Sequence, residues 1–263
     1  MKIFRVVGIA LLAVLFSGSF TSCGKDDPQY ELIREGKKVV KVEIEDPYTN
    51  AVNRFIYDGQ GRLKEVIHES DSDNRDFKYI WGSNQINSSG DIFHLKDGFI
   101  SKLNGYSEVT YNSNKQPIEV GGKSDYSSYS TFVWGTNRLQ RMSSYQRNQN
   151  IATIQNALYF EYYEPFVTCN GYNPIIPILL SKEFYNNYLC VAHPELVNAR
   201  TTILPTSFKI EEFYLNDSGR LDYDTYKGNI SYKFDNDGYL TQCIMRKYAH
   251  NDIEETKYTI TWE

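Results

Sequence analysis

The sequence predicts an all-β protein in which an antiparallel meander of hairpins forms a strongly curved sheet or an open half-barrel. Three observations lead to this fold class. The 263 residues include 22 Tyr and 14 Phe, and aromatic side chains suit the half-buried surface of a strand. A short unit of aromatic residue, polar turn and Leu or Ile recurs along the chain. No heptad or long helical stripe of apolar residues is present to favour a helical fold.

The first 22 residues have the order of a secretory signal peptide. Lys2 and Arg5 make a basic start, an apolar run interrupted only by Gly8 spans residues 6–16, and mostly small or polar residues follow. A transmembrane helix needs about 20 apolar residues, so this run is too short to be one. We therefore expect residues 1–22 to be removed on export.

Cys23 follows the signal peptide directly. Residues 20–23, Phe-Thr-Ser-Cys, resemble the bacterial lipobox, although Phe20 departs from the usual Leu. The resemblance implies acylation of Cys23 and stable attachment to a membrane. The Gly-Lys-Asp-Asp-Pro sequence at 24–28 resembles the surface-export signal of Bacteroidota lipoproteins; a plain solvated spacer is the alternative. We expect residues 23–36 to form a lipidated polar tether and the protein to face the cell surface from the outer membrane.

Residues 37–263 are expected to form a single all-β domain built from hairpins. Tyr57 ends one alternating stretch, an Asp-x-x-Gly turn follows, and Leu63 begins the next stretch. Asp and Asn bond their own downstream backbone, and Gly or Asn accepts the positive φ of tight turns. Comparable units occur at 79–86, 94–103, 109–120, 132–142, 212–223 and 232–243. The aromatic residues of paired units lie about 20 to 24 residues apart, which is room for two strands and their turns.

The Tyr-Asp-x-x-Gly-Arg-Leu motif at 57–63 resembles the signature of YD-repeat proteins, in which such hairpins build the walls of large β-shells. Partial copies occur at 217–221 and 235–240. Together with the lipobox and the acidic tether, the chain resembles hairpin-rich cell-envelope lipoproteins of Bacteroidota with YD-like units. The resemblance covers most of residues 37–150 and 207–263. It implies an antiparallel β fold and an envelope location, and it supplies no catalytic residues.

Residues 151–206 form a non-repeating insertion. They include Pro165, Pro174, Pro177 and Pro194, which exclude a long central strand. Residues 178–189 carry an apolar stripe that predicts a short helix, with Pro177 at its first position. One interpretation is a plug over the end of the curled sheet. The other is a ligand-binding lip, since rings stack on sugars and peptides; its members would be Tyr159, Phe160, Tyr162, Tyr163, Phe166 and Tyr172.

Three cysteines follow Cys23, and their number is odd. Cys169 and Cys190 lie 21 residues apart within the insertion and are candidates for a disulfide in an oxidising compartment. The alternative is three buried free thiols, Cys243 included. The sequence leaves both open.

The charge of the chain argues against nucleic acid as a partner. The formal net charge is −5, and removal of residues 1–22, which carry two basic and no acidic side chains, makes it −7. Nucleic-acid binding needs a basic patch. The partners that we expect are the membrane, through the lipid, and a glycan or another envelope protein.

The sequence offers no catalytic or metal-ligating constellation. His68, His94, His193 and His250 are scattered, and neither zinc spacing nor a nucleophile elbow occurs. We therefore predict no cofactor and no metal, and a binding or structural role with glycan or peptide as the ligand. The alternative function is a polysaccharide hydrolase, which would need two carboxylates facing each other across a cleft.

Overall fold

The computed structural model describes residues 36–122, 127–148, 151–183, 188–216, 218–249 and 252–263. The predicted signal peptide and the lipidation site at Cys23 lie outside these residues, as does nearly all of the tether. No helix in the described ranges is long and apolar enough to cross a membrane.

The described chain is almost entirely antiparallel β-structure. The first twelve strands are β1 Val39–Glu45, β2 Asn50–Tyr57, β3 Leu63–Ser70, β4 Asn74–Trp81, β5 Gln85–Ser88, β6 Asp91–Lys96, β7 Phe99–Leu103, β8 Ser107–Tyr111, β9 Pro117–Gly122, β10 Ser128–Gly135, β11 Arg138–Asn148 and β12 Ile151–Glu161. Two short strands, β13 Val167–Thr168 and β14 Ile203–Leu204, pair with each other. The last four are β15 Ser207–Leu215, β16 Leu221–Phe234, β17 Leu240–Ala249 and β18 Asp252–Trp262.

Sixteen of these strands close into a barrel; of the two forms that we expected, a strongly curved sheet or an open half-barrel, the open half-barrel is not confirmed. Neighbours in sequence are neighbours in the wall, β12 pairs with β15, and β18 pairs with β1. In the closing pair Val42 lies opposite Ile260 and Ile44 opposite Tyr258. Closure removes the two sheet edges that an open half-barrel would leave unpaired.

The repeated polar turns share one hydrogen-bond pattern. The Asp58 side chain accepts bonds from the backbone N–H groups of Gln60 and Arg62, both at 2.9 Å. Gly61, at φ +80°, donates its N–H to the Asp58 carbonyl. Three further turns repeat this pattern, those of Asn112, Asn216 and Asp235. The predicted hairpin unit is therefore confirmed at atomic detail.

An inward-facing ring of aromatic side chains lies at one end of the barrel, which we call the insertion end because residues 162–206 leave the wall there. Each of these aromatic side chains donates one hydrogen bond to a backbone carbonyl near the start of a neighbouring strand. Tyr57 donates to Val39 at 2.8 Å and Trp81 donates to Leu63 at 2.8 Å. The other donors are Tyr111, Trp134, Tyr162, Tyr232 and Trp262, with bonds of 2.5 to 2.7 Å. The recurring aromatic residues thus tie adjacent strands together.

The wall is apolar inside and mixed outside, where charged side chains occur beside exposed apolar ones such as Ile80 and Val133. Along β1, Val42 and Ile44 face inward while Lys41, Glu43 and Glu45 face outward. The same alternation gives ion pairs between neighbouring strands on the outer face, namely Arg54–Glu69, Lys257–Glu45 and Arg246–Glu255 at 2.7 to 2.8 Å. A buried core on one face and ion pairs on the other follow from the two-residue alternation of a strand.

The insertion fills the barrel interior. It begins after β12, because residues 151–161 belong to the wall, and not at residue 151 as expected. It contains α1 Ile175–Glu183, α2 Leu189–Ala192 and a 3-10 helix Pro194–Val197. The predicted helix at 178–189 overlaps α1 over residues 178–183, and α1 begins three residues earlier than predicted. Helix and wall side chains share one core, in which Ile176, Leu180 and Leu189 have no exposed surface.

Candidate functional site

The structure does not bring the predicted ligand-binding tyrosines together. Tyr159 lies on the outer face, where its hydroxyl donates to Glu211 at 2.9 Å and Lys209 covers its ring. Tyr162 belongs to the aromatic ring of the insertion end, and Tyr172 is buried with its hydroxyl bonded to the Val191 carbonyl at 2.6 Å. Burial raises the pKa of Tyr162 and Tyr172 above that of a free phenol. These three side chains cannot form one lip.

The remaining members of the predicted lip are also separated. Phe160 is buried on the inner face of β12. Phe166 is partly exposed beneath the Arg138 guanidinium, 4.6 Å from the ring centre. Tyr163 is 59% exposed and lines an outer depression of about 500 Å³ with Glu161 and Lys209. In that depression the Glu161 carboxylate already accepts hydrogen bonds from Tyr163 and Ser207, so this carboxylate is engaged within the protein.

The three cysteines in the described ranges are buried free thiols. The structure thus contains no disulfide between Cys169 and Cys190, the pairing that the sequence left open. Burial raises the pKa of the Cys169 thiol to about 12 and raises those of Cys190 and Cys243 further. Thiols held protonated in this way are poor nucleophiles and poor metal ligands.

Two histidines, His193 and His68, make contacts that stabilise the fold. His193 is buried, accepts the Leu63 N–H at 2.9 Å through Nε2, and contacts Glu195 at 3.0 Å through Nδ1. His68 contacts the Asn53 side-chain oxygen at 2.7 Å and stacks on Tyr188. Burial lowers the pKa of His68. No group of three or more His, Cys, Asp or Glu able to hold a metal occurs among the described residues.

A small internal cavity lies between α1 and the first two strands. It measures about 70 Å³, and its lining is apolar apart from Asn53 and Ser181. The Asn53 amide nitrogen has no hydrogen-bond partner among the described residues. An engineered cavity of about 150 Å³ is needed to hold benzene, so this space suits water or a very small molecule.

The most suitable ligand site is a polar depression at the insertion end, which we call the rim pocket. Its volume is about 410 Å³, within the range of about 300 to 1,000 Å³ usual for small-molecule sites. It is lined by Asn112, Asn114, Gln116, Trp134, Gly135, Thr136, Asn137, Asn198 and Arg200. Three segments far apart in sequence supply these residues: the β8–β9 turn, the β10–β11 turn, and the end of the insertion.

Hydrogen bonds between the three segments hold the rim pocket in shape. Asn198 donates from its side chain to the Asn114 carbonyl at 3.0 Å, which joins the insertion to the β8–β9 turn. Thr201 donates to the Asn137 carbonyl at 2.7 Å, which joins it to the β10–β11 turn. Asn137 and Asn198 have left-handed φ values of 54° and 45°, a conformation that Asn tolerates better than most residues. The walls are therefore set before any ligand arrives.

The aromatic wall of the pocket is also fixed. Trp134 belongs to the inward ring, and its indole N–H donates to the Pro117 carbonyl at 2.7 Å. Because that bond holds the indole, Trp134 contributes a partly exposed apolar surface beside the amides. A rigid ring next to polar groups suits a ligand with both an apolar face and hydroxyl groups.

The lining of the rim pocket carries a positive charge. The lining contains four asparagines, one glutamine and one arginine, and no carboxylate. Four carboxyl groups in the described ranges have a shifted pKa, those of Asp58, Glu161, Glu211 and Asp235, and each is lowered. A glycosidase acid needs a raised pKa and a second carboxylate near it. The rim pocket offers neither.

Sequence reasoning missed the rim pocket because its parts looked like ordinary turns. Residues 112–116 fit the repeated polar turn, and residues 198–200 lie at the end of the insertion without a motif of their own. The available signal is the density of amide side chains in 112–116, since one Asp or Asn is enough to build the turn.

Comparison with known proteins gives information on the fold. No family model matches the chain, and no curated protein matches it significantly. A porin-like protein from Bacteroides uniformis has a TM-score of 0.55 at 13% identity, over 86% of this chain and 98% of that chain. A porin-like protein from Bacteroides vulgatus has a TM-score of 0.57 at 12% identity, over 85% and 98%. At these identities the likeness concerns the barrel architecture alone.

Proposed function

We propose that this chain is a lipid-anchored envelope protein of the outer membrane, facing the cell surface, which binds a glycan in the rim pocket. The observation that carries the proposal is the rim pocket itself: a preformed, carboxylate-free depression lined by amides and one indole. Amide groups donate and accept hydrogen bonds at once, as sugar hydroxyls do. The indole adds an apolar surface for the C–H face of a sugar ring.

Attachment through lipid fits the polarity of the barrel better than insertion of the wall. A transmembrane barrel presents an apolar band about 25 Å tall to lipid, and each Lys or Arg at its midplane costs about 2–4 kcal/mol. The outer face of this wall instead carries ion pairs such as Arg54–Glu69 and Arg246–Glu255. The porin-like description of the structural neighbours is thus carried over here for the barrel shape and an outer-membrane setting, and not for a channel.

The rim pocket lies across the barrel from the strand to which the tether is joined. The wall begins at Val39, so the 16 residues from Cys23 to that strand can span at most about 50–60 Å when extended. In the circular strand order β9 lies eight places from β1. The rim pocket is therefore on the far side of the insertion end from the tether, where a large glycan can reach it.

Anchoring is tested by replacing the lipidated residue. Cys23→Ala should move the protein from the membrane fraction to the soluble fraction, and Cys243→Ala should leave it on the membrane. Retention of Cys23→Ala in the membrane would overturn the lipid anchor. Protease added to intact cells should digest the wild-type domain, and full protection would overturn surface exposure.

Glycan binding is tested by filling the rim pocket. Thr136 is exposed in the lining, whereas Ser113 is exposed on the β8–β9 turn but is not itself a lining residue. On a glycan array, wild type and Ser113→Trp should bind the same ligands, and Thr136→Trp should bind at least about tenfold less. A blank array with folded wild-type protein, or equal binding by Thr136→Trp, would overturn the rim pocket as the glycan site.

A further inference from the structure

We infer that the rim pocket selects an acidic glycan, and that the Arg200 guanidinium pairs with the carboxylate of a uronic acid unit. This inference rests on the proposed glycan binding and names the class of glycan. It uses the charge of the lining, the position of Arg200 and the absence of competing carboxylates.

Arg200 is exposed and has no ion pair with any described carboxylate. Several other arginines of the barrel are already engaged: Arg62 holds Asp58 at 2.8 Å, Arg246 holds Glu255 at 2.8 Å, and Arg138 lies over the Phe166 ring. An engaged guanidinium has few N–H donors left for a ligand. Arg200 keeps its planar set of donors, which matches the two oxygens of a carboxylate.

The backbone on both sides of Arg200 is fixed, so its guanidinium reaches out from a defined point. Ala199 is fully buried, and its N–H donates to the Pro194 carbonyl at 2.9 Å. Thr201 is buried and bonded to the Asn137 carbonyl. Arg200 is thus an exposed residue between two anchored ones, at the mouth of a depression in which Asn114 and Asn137 offer amides to ring hydroxyls.

The local charge of the rim pocket is opposite to that of the whole chain. The full sequence has 33 acidic against 28 basic side chains, yet the nine lining residues include one cation and no anion. Lys115, exposed within the β8–β9 turn, adds a second positive charge beside Asn114. An anionic ligand is repelled by the chain as a whole, so it is held only where a local cation and hydrogen-bond donors outweigh that repulsion.

The choice between carboxylate and neutral sugar follows from what a neutral ligand would leave unpaired. A neutral sugar can satisfy the amides but gives the guanidinium no charged partner. A uronic acid satisfies both, with the ring hydroxyls on the amides and the carboxylate on Arg200. A charge-assisted hydrogen bond is roughly twice as strong as a neutral one, so the carboxylate adds affinity at Arg200 that a neutral sugar does not.

The test uses the full chain, expressed with its leader and extracted in mild detergent. The probes are an oligogalacturonide, the same oligosaccharide fully methyl-esterified, and a sulfated galactan of equal length, each titrated by calorimetry. Methyl esterification removes the charge and keeps the ring hydroxyls. We expect wild type to bind the acid about tenfold or more tightly than the ester, and more tightly than the sulfated galactan.

The variants are Arg200→Gln, Arg200→Lys and, as a matched control, Arg220→Gln, an exposed arginine in a turn at the other end of the barrel. Arg200→Gln should bring affinity for the acid down to that for the ester and leave the ester unchanged. Arg200→Lys should be intermediate, since an ammonium pairs without the planar geometry. Arg220→Gln should behave as wild type.

The outcomes separate this inference from the proposed function. If Arg200→Gln keeps the preference for acid over ester, or if the sulfated galactan binds best, the uronic acid assignment is overturned while glycan binding stands. If wild type binds none of the three and no other glycan on an array, the proposed glycan binding itself is overturned.

Discussion

Replacing His193 by Leu should destabilise the protein by about 2–6 kcal/mol, although His193 lies outside any proposed ligand site. His193 belongs to the insertion and is 1% exposed. Its Nε2 accepts the backbone N–H of Leu63, the residue that follows the first repeated turn. Tyr57 and Trp81 meet the imidazole edge to face, with ring centres 6.0 and 5.2 Å away. The imidazole therefore pins the insertion to the wall at one repeat.

The magnitude follows from what the variant leaves behind. Leu fills a similar volume but accepts no hydrogen bond, so the Leu63 N–H stays buried and unpaired at a cost of about 1–3 kcal/mol. Each lost edge-to-face contact adds about 0.5–1.5 kcal/mol. His94 on the outer face is the matched control, and His94→Leu should change stability by no more than about 0.5 kcal/mol.

The assay is urea unfolding followed by tryptophan fluorescence, and the chain supplies its own cross-check. In the β8–β9 hairpin, Pro117 occupies the position that Leu63 has in the β2–β3 hairpin. Each residue pairs with the aromatic residue before its turn after a shift in strand register, and each carbonyl accepts a hydrogen bond from a tryptophan indole. Proline has no N–H to satisfy. In a Leu63→Pro background, His193→Leu should therefore cost about 1–3 kcal/mol less than in wild type. An equal cost in both backgrounds, or a cost no larger than that of His94→Leu, would refute the reasoning.

Two further substitutions test the wall and the turns. Gly228→Ala should destabilise the protein by about 1–3 kcal/mol, because the new Cβ would meet the Phe208 ring and a neighbouring backbone carbonyl. The control is Gly59→Ala, which has open space around it and should cost under about 0.5 kcal/mol. Equal urea midpoints for the two variants would contradict this prediction. Asp58→Asn should keep the turn, as the amide copies do, and reduce the loss of stability in acid. Burial opposes ionisation of Asp58, but the Arg62 backbone N–H and guanidinium outweigh it and hold its pKa below the ordinary value. The stabilisation by ionised Asp58 is thus complete above about pH 4 and is lost as pH falls through its lower folded-state pKa. If the urea midpoint falls equally between pH 7 and pH 3 in wild type and in Asp58→Asn, this prediction is contradicted.

The hairpins were predictable because their signals are local. The Asp or Asn that starts each turn and the positive-φ residue that closes it lie within five positions, and the structure has them at 58–62, 112–116, 216–220 and 235–239. The same property limits the prediction. Closure depends on β1 pairing with β18, more than 200 residues away. The alternation of apolar and polar residues in either strand is the same whether the strand is an open edge or is paired within a closed wall.

The residues of the predicted lip do not lie together, because residues that are close in sequence need not be close in space. Tyr159 and Phe160 are adjacent in β12, so the two-residue period of a strand sends them to opposite faces. Tyr172, thirteen positions later, has passed the rim and entered the core. The rim pocket shows the reverse case, since Asn114, Asn137 and Arg200 are far apart in sequence and meet only because the barrel closes around the insertion.

Closure, the insertion and the rim pocket depend on one another. The insertion buries helices inside the wall, which requires that the wall surround it on all sides, and this gives β1 and β18 a shared core to pack on through Val42 and Ile260. The end of the insertion then emerges at the rim, where Asn198 and Thr201 bond to turns of the wall on the side opposite β1. The rim pocket therefore lies where the end of the insertion contacts the wall. His193→Leu loosens the insertion where it contacts β3, away from the pocket, and should weaken glycan binding through loss of order in the pocket even though it touches no ligand. Arg200→Gln should weaken binding of the acid without changing the urea midpoint.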